Sequence, residues 1–323
     1  MLRLRRSLML SLYTVLAAVL AASALWQLGA GQVAAHATNA TMTTPLNPPS
    51  PACVNVVNTG GGNCVSGPAI LTPLQRQMLA RKNVLAAQYA QVRAGKLTYT
   101  TYQRDLQAFM HQYGGPTTTR RGVQPACPSL NGGPYVLCGQ NWVGLTQQSQ
   151  QTYYYCGPAT AHEVLGVRGV NVSQGTLAGN SYLQTNANGG TNWSPQVMAP
   201  TLNALTNSVY YVPVNGSGGG GGGGFSSSTW QSDLTADVDN GWALAGNTVE
   251  YDGTGPHLVG HPTSLTIYHW IGIYGYQNYG NYTMYADSIH GTTFWSWAVN
   301  VPATSTYSSS NMTTLLNGRG FVW

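Results

Sequence analysis

Tyr153 to Leu165 reads YYYCGPATAHEVL, which sets Cys156 directly before Gly157-Pro158 and a run of small residues that suits a helix. The thiolate is the reactive form of cysteine. A helix N-terminus stabilises it through N–H groups without intrahelical partners and through the helix dipole. Pro158 presets φ for the first turn, and Gly157 and Ala159 leave room for a reacting group to approach. Cys156 is therefore a candidate nucleophile. Taken alone it reads as readily as an inert buried thiol.

A nucleophilic thiol needs a base, and the chain has seven histidines. His36 falls in the N-terminal apolar region and His111 in a helical segment. His162 lies six residues past Cys156 and faces elsewhere on a helix, and His257 and His261 belong to a Gly/Pro loop. His269 opens the apolar run HWIGIYGY, a strand, and a strand is a rigid mount for an imidazole. A satisfied core histidine is the bland alternative. Asp287 ends YTMYAD, the next strand. A hairpin through the Gln277–Asn281 turn brings it beside His269 as the group that orients the base. An Asp before Ser288 is also ordinary turn chemistry. Gln150, six residues before Cys156, is a candidate donor to an oxyanion, although Gln147, Gln148 and Gln151 crowd the same stretch.

Together, Gln-x5-Cys-Gly-Pro-Ala, a distant His-Trp-x-Gly-x-Tyr-Gly-Tyr and an Asp closing the following strand resemble the papain-like cysteine peptidases of the bacteriocin-processing type, which cleave after double-glycine leaders. The likeness covers about Gln147 to Val301, and Ser173-Gln174-x2-Leu177-Ala178 fits the family's second helix. It implies Cys156 as nucleophile, His269 as base, Asp287 as its orienter and Gln150 as oxyanion donor. No cofactor is implied. The chain has no membrane or ATP-binding domain of the transporter-linked members, so the resemblance is to the soluble, stand-alone, secreted subgroup. Double-glycine specificity does not carry over. Two other functions fit the same residues: a cell-wall amidase or transglutaminase-like acyl transferase, and a non-catalytic secreted binding protein using its many Tyr and Trp residues.

The elements that must position these residues follow from pattern. Helical signals precede strand signals, which indicates an α+β fold rather than alternating α/β. Helices are expected over Cys156 to Leu165, from Ser173, over Trp193 to Leu205, and over Asp233 to Asn240. Strands are expected over Trp242–Val249, Thr266–Tyr276, Tyr282–Asp287 and Phe294–Val301. The domain begins at 146 and runs to 323, its tail from Tyr307 unassigned. Gly218 to Gly224 is a surface insert and not a phosphate loop, because no GK[ST] follows.

The front of the chain differs. Arg3, Arg5 and Arg6, the apolar Leu8 to Leu25 and Ala35-His36-Ala37 describe a secretory signal over 1–37, or an uncleaved membrane anchor. Residues 38–71 read as a linker. Residues 72–115 read as a helical hairpin: Thr72-Pro73 starts one helix with Leu74, Met78, Leu79, Leu85, Tyr89 and Val92 on its stripe, and Gly95 stops it. Thr100 with Gln103 offers a capping box for the second. The hairpin is too small to stand alone and is expected to pack on the main domain. Residues 116–145 are loop-like. Charge divides the same way, with eight Lys/Arg and one acid in 38–139 against two Arg and seven acids in 140–323. The basic part is too sparse for nucleic acid. Loose attraction to a cell wall is open, but solvated helix faces explain the charge more simply. Only 7% of residues are charged, against about 25% in typical soluble domains, as in many exported proteins. Five cysteines in an oxidising compartment leave one over. Cys53–Cys64 and Cys127–Cys138 are the preferred local pairs, with long-range pairing open and Cys156 as the remaining thiol. No CxxC or His cluster suggests zinc.

Overall fold

The computed structural model describes residues 57–58, 67–114, 139–219 and 223–323. The segment 1–37 and Cys53, Cys64, Cys127 and Cys138 with their expected pairings lie outside the described residues.

Eight strands form one sheet: β1 (Val57–Asn58), β2 (Asn141–Trp142), β3 (Pro213–Asn215), β4 (Leu244–Glu250), β5 (Ile267–Gln277), β6 (Tyr282–Ala286), β7 (Thr304–Ser308) and β8 (Gly320–Val322). The order is β3-β8-β4-β5-β6-β7 with antiparallel neighbours, and β1 and β2 also pair with β5. The helices are α1 (Pro73–Arg93), α2 (Tyr99–Tyr113), α3 (Cys156–Val167), α4 (Gln174–Leu177), α5 (Thr185–Asn188), α6 (Met198–Thr206), α7 (Ser227–Asp239) and α8 (Ser309–Asn317).

All of β4 and most of β5 are buried, because helices cover both faces of these central strands. Side chains alternate across a sheet, and two glycines show which helix lies on which face. A side chain at Gly272 would strike Glu163 of α3. One at Gly246, paired with Ile271, would strike Leu316 of α8. With helices first and the antiparallel sheet after, the fold is α+β.

The hairpin α1–α2 packs on this body. Thr72 caps α1 with a full capping box, and Pro73 opens it. Met78, Leu85, Ala86 and Tyr89 are buried, but Leu74 is 39% exposed and so leaves the expected stripe. The second helix is capped by Thr98, which accepts from the Thr101 N–H, and not by Thr100. Gln103 bonds the Tyr99 hydroxyl instead. Lys82 is buried rather than solvated. Its Nζ meets Asp237 Oδ2 on α7 at 3.0 Å and lies over the rings of Tyr210 and Trp323.

Other expectations need correction. The helix expected from Trp193 starts at Met198, because Gln196 Oε1 accepts from the Met198 and Ala199 N–H groups and so caps it there. The helix after Ser173 is a single turn, and the one near Asp233 starts earlier, capped by Ser226. Phe294–Val301 is no strand. Ser296–Asn300 is a 3₁₀ turn, and Trp295 and Trp297 stack with ring centroids 5.5 Å apart. Trp295 is still extended, and the chain turns helical from Ser296, which removes the run from the sheet. The unassigned tail supplies β7, α8 and β8, and β8 inserts between β3 and β4.

Candidate active site

Cys156 is the first residue of α3. The preceding Tyr155 provides no side-chain cap, so the thiol occupies the position where N–H groups lack intrahelical partners. Cys156 is buried. Its Sγ accepts from the backbone N–H of Trp270 at 3.3 Å. The β6 ladder on β5 begins only at Gly272, so Trp270 lies past its end. That contact alone places the thiol within about 6 Å of the His269 Cα, given standard backbone dimensions. Gly157 permits a close approach of protein rather than of a reacting group, since a Cβ there would lie 2.0 Å from Thr191 Oγ1. The Trp270 indole donates to the Thr191 carbonyl, so residues around Thr191 close over the start of α3.

β5 and β6 bring His269 and Asp287 together across the hairpin, as their spacing suggests. His269 Nε2 and Asp287 Oδ1 are 2.9 Å apart, both residues fully buried. A carboxylate only accepts, so Nε2 carries the proton and Nδ1 is the basic nitrogen. Asp287 Oδ1 also accepts from the Ile289 N–H at 2.9 Å, and the Asp287 carbonyl accepts from Gln147 Nε2. Burial alone would raise the Asp287 carboxyl. His269 and His261 overcome it and hold the group far below the usual carboxylate range.

Gln150 sits against the turn after Asp287. Its N–H donates to the Ser288 carbonyl at 2.8 Å, its Oε1 accepts from the Ser288 hydroxyl at 3.2 Å, and its Nε2 donates to the Thr152 carbonyl at 2.8 Å. His162 faces away as expected, its Nδ1 on the Val172 carbonyl. Glu163, two helical turns on from Cys156, accepts from the Gln148 N–H. Burial drives its carboxyl well above the usual range.

His261 is the residue that sequence reasoning misses. It is fully buried with Nδ1 2.8 Å from Glu250 Oε1, and its Nε2 lies 3.1 Å from Asp287 Oδ2, at ion-pair distance though off the line of an aligned hydrogen bond. Burial opposes its charge, but Glu250 and Asp287 prevail and push it up to about 10. Its ring also packs on Trp297 and near His269. No periodicity signals this placement, which is set by the loop between β4 and β5. Ligating atoms of His261, His269 and Asp287 fall within 4.8 Å of one another. His261 Nδ1 bonds Glu250 and His269 Nε2 bonds Asp287, contacts that suit protonated ring nitrogens, whereas a metal requires deprotonated ones.

Residues 140–307, just over half of the chain, match the Peptidase_C39 like family. No curated protein matches the chain. The match spans α3 with Cys156 and the strands with His269 and Asp287, and with it the α+β fold is of the papain-like kind. The chain belongs to the Peptidase_C39 like family, a family of cysteine peptidases.

Proposed function

We propose that the protein is an exported cysteine peptidase that hydrolyses peptide bonds through Cys156, His269 and Asp287. The observation that carries this reading is a single chain of contacts: Asp287 on His269 Nε2 at 2.9 Å, and Cys156 Sγ on the N–H of the next residue along the strand at 3.3 Å. His269 Nδ1 takes the thiol proton, and Asp287 fixes the ring and offsets the imidazolium charge. The start of α3 and the Trp270 N–H stabilise the thiolate. The thiolate attacks the peptide carbonyl, and the imidazolium protonates the leaving amine as the thioester forms. Water, with His269 as general base, then releases the acid and restores the thiol.

The tetrahedral intermediates need donors toward the oxyanion. By its place six residues before Cys156, as the resemblance implies, Gln150 joins the Cys156 backbone N–H in this role. Export rests on the basic and apolar pattern of residues 1–37. The hairpin is anchored to α7 and β3, so it serves as a buttress of the body. Mass spectrometry of peptide mixtures incubated with wild type and with Cys156→Ala tests the reading. New termini that appear only with wild type support it. Identical products, or turbidity loss on cell walls without peptide cleavage, reject it.

A further inference from the structure

Three anchors carry His261 to the back of Asp287. Glu250, the last residue of β4, turns its carboxylate into the loop that follows. Its Oε2 accepts from the Leu258 N–H at 3.0 Å and its Oε1 meets His261 Nδ1 at 2.8 Å. The Val259 N–H donates to the Tyr285 hydroxyl on β6 at 3.0 Å. Gly260, at φ +87, lies so close to the 3₁₀ turn that a Cβ would come within 2.2 Å of the Asn300 carbonyl oxygen. Trp297 of that turn closes over the imidazole. Glu250, His261, Asp287 and His269 thus form one buried line of alternating acid and base.

We infer that His261 and Glu250 are positioning residues for the proposed hydrolysis: His261 holds Asp287 toward His269, and Glu250 balances the charge that His261 brings. The inference rests on the triad reading above. Asp287 has two oxygens. Oδ1 takes His269 and the Ile289 N–H, and Oδ2 faces His261. A carboxylate held at both oxygens cannot turn away from the imidazole that it orients. A cation behind Asp287, without compensation, would weaken its support of the imidazolium. Glu250 on β4 cancels that effect, so the line carries one net negative charge toward His269. The raised titration of His261 agrees with this arrangement, since burial alone would have removed its proton. The other titratable groups near Asp287 are Glu163 of α3 and Tyr285 of β6, and burial raises both, which favours their uncharged forms.

Charge arithmetic separates positioning from plain packing. In H261Q, Glu250 and Asp287 face each other without a cation, so one of them takes a proton and Asp287 loses its hold on His269. In E250Q, His261 offsets Asp287 and the support for imidazolium weakens. In the double variant E250Q/H261Q, Asp287 stands alone with its single charge, as the balanced line does. The readout is the rate at which iodoacetamide modifies Cys156 in the full chain across pH, followed by mass of the Cys156 peptide, together with kcat and KM on casein. Expected is a loss in H261Q of about tenfold in modification rate near pH 7 and in kcat, with KM within about twofold. E250Q loses about threefold, and the double variant returns to within about threefold of wild type. A double variant no more reactive than H261Q, or an H261Q indistinguishable from wild type, overturns the inference. Should H261Q fail to fold, a double variant less reactive than E250Q overturns it. If Cys156→Ala cleaves casein as fast as wild type, the triad reading falls, and the inference falls with it.

Discussion

Two buried charge clusters hold this protein together in opposite ways. Where the hairpin meets the body, Lys82 sits on Asp237, with Asp233 nearby and the rings of Tyr210 and Trp323 against its ammonium. Beneath β4, β5 and β6, His261 sits between Glu250 and Asp287. In the first cluster burial prevails and Lys82 is pushed down to about 8. In the second the carboxylates prevail and His261 is pushed up to about 10. Buried charge with a perturbed proton is therefore no sufficient mark of an active site. What separates the clusters is a contact path to a nucleophile. Asp287 reaches His269, whose neighbour Trp270 reaches Cys156, while the Lys82 cluster leads to tyrosines and to Asn240 beside Tyr102.

The largest expected effect lies at the end of that path. Cys156→Ala should abolish hydrolysis with the fold retained, and His269→Ala should lose nearly as much, because residues that act as a unit are not additive. Asp287→Ala should keep measurable residual turnover. Product assays beside far-UV circular dichroism check all three, and unchanged turnover in Cys156→Ala would end the comparison.

At the other cluster, Asp237→Ala strands Lys82 in the interior and should destabilise the protein by about 3–5 kcal/mol, while Lys82→Met, which keeps the volume, should be far milder. Denaturant titration reads both. The folded fraction of either variant should modify Cys156 at the wild-type rate. A change in that rate would mean that the hairpin communicates with the site.

The smallest effect is a difference in sign. His261 rises from 6.5 to about 10, so between those values the folded state binds more protons than the unfolded state. Its stabilising contribution is complete below 6.5 and is lost as pH climbs toward 10. Lys82 falls from 10.5 to about 8, so between 8 and 10.5 the unfolded state binds more protons and stability gains with pH. Stability measured from pH 6.5 to 10.5 should lose its downward component in H261Q and its upward component in Lys82→Met. Parallel curves for wild type and H261Q would refute the first assignment.

The proposed triad residues Cys156, His269 and Asp287 could be singled out because each lies in a local pattern: a Gly-Pro helix start, an apolar strand, and the end of the next strand. The hairpin helices were legible for the same reason. His261 and Glu250 were not, because their meeting depends on a loop pinned by Gly260, Val259 and Leu258, none of which repeats at a helical or strand period. β8 was hidden by its length, three residues whose place between β3 and β4 is fixed by partners far away in sequence. The aromatic run at Phe294 misled because residues that favour strands also stack across a 3₁₀ turn.

Thr191 packs directly against Gly157, the residue after the candidate nucleophile. With Cys156 at 0% exposure, the ground state offers no path for a polypeptide to the sulfur. Turnover by the proposed mechanism would then scale with the fraction of molecules in which the sulfur is uncovered, each ~1.4 kcal/mol that favours the covered state lowering it about tenfold. The same burial slows peroxide and foreign thiols at Cys156, because a buried sulfur reacts only while it is uncovered.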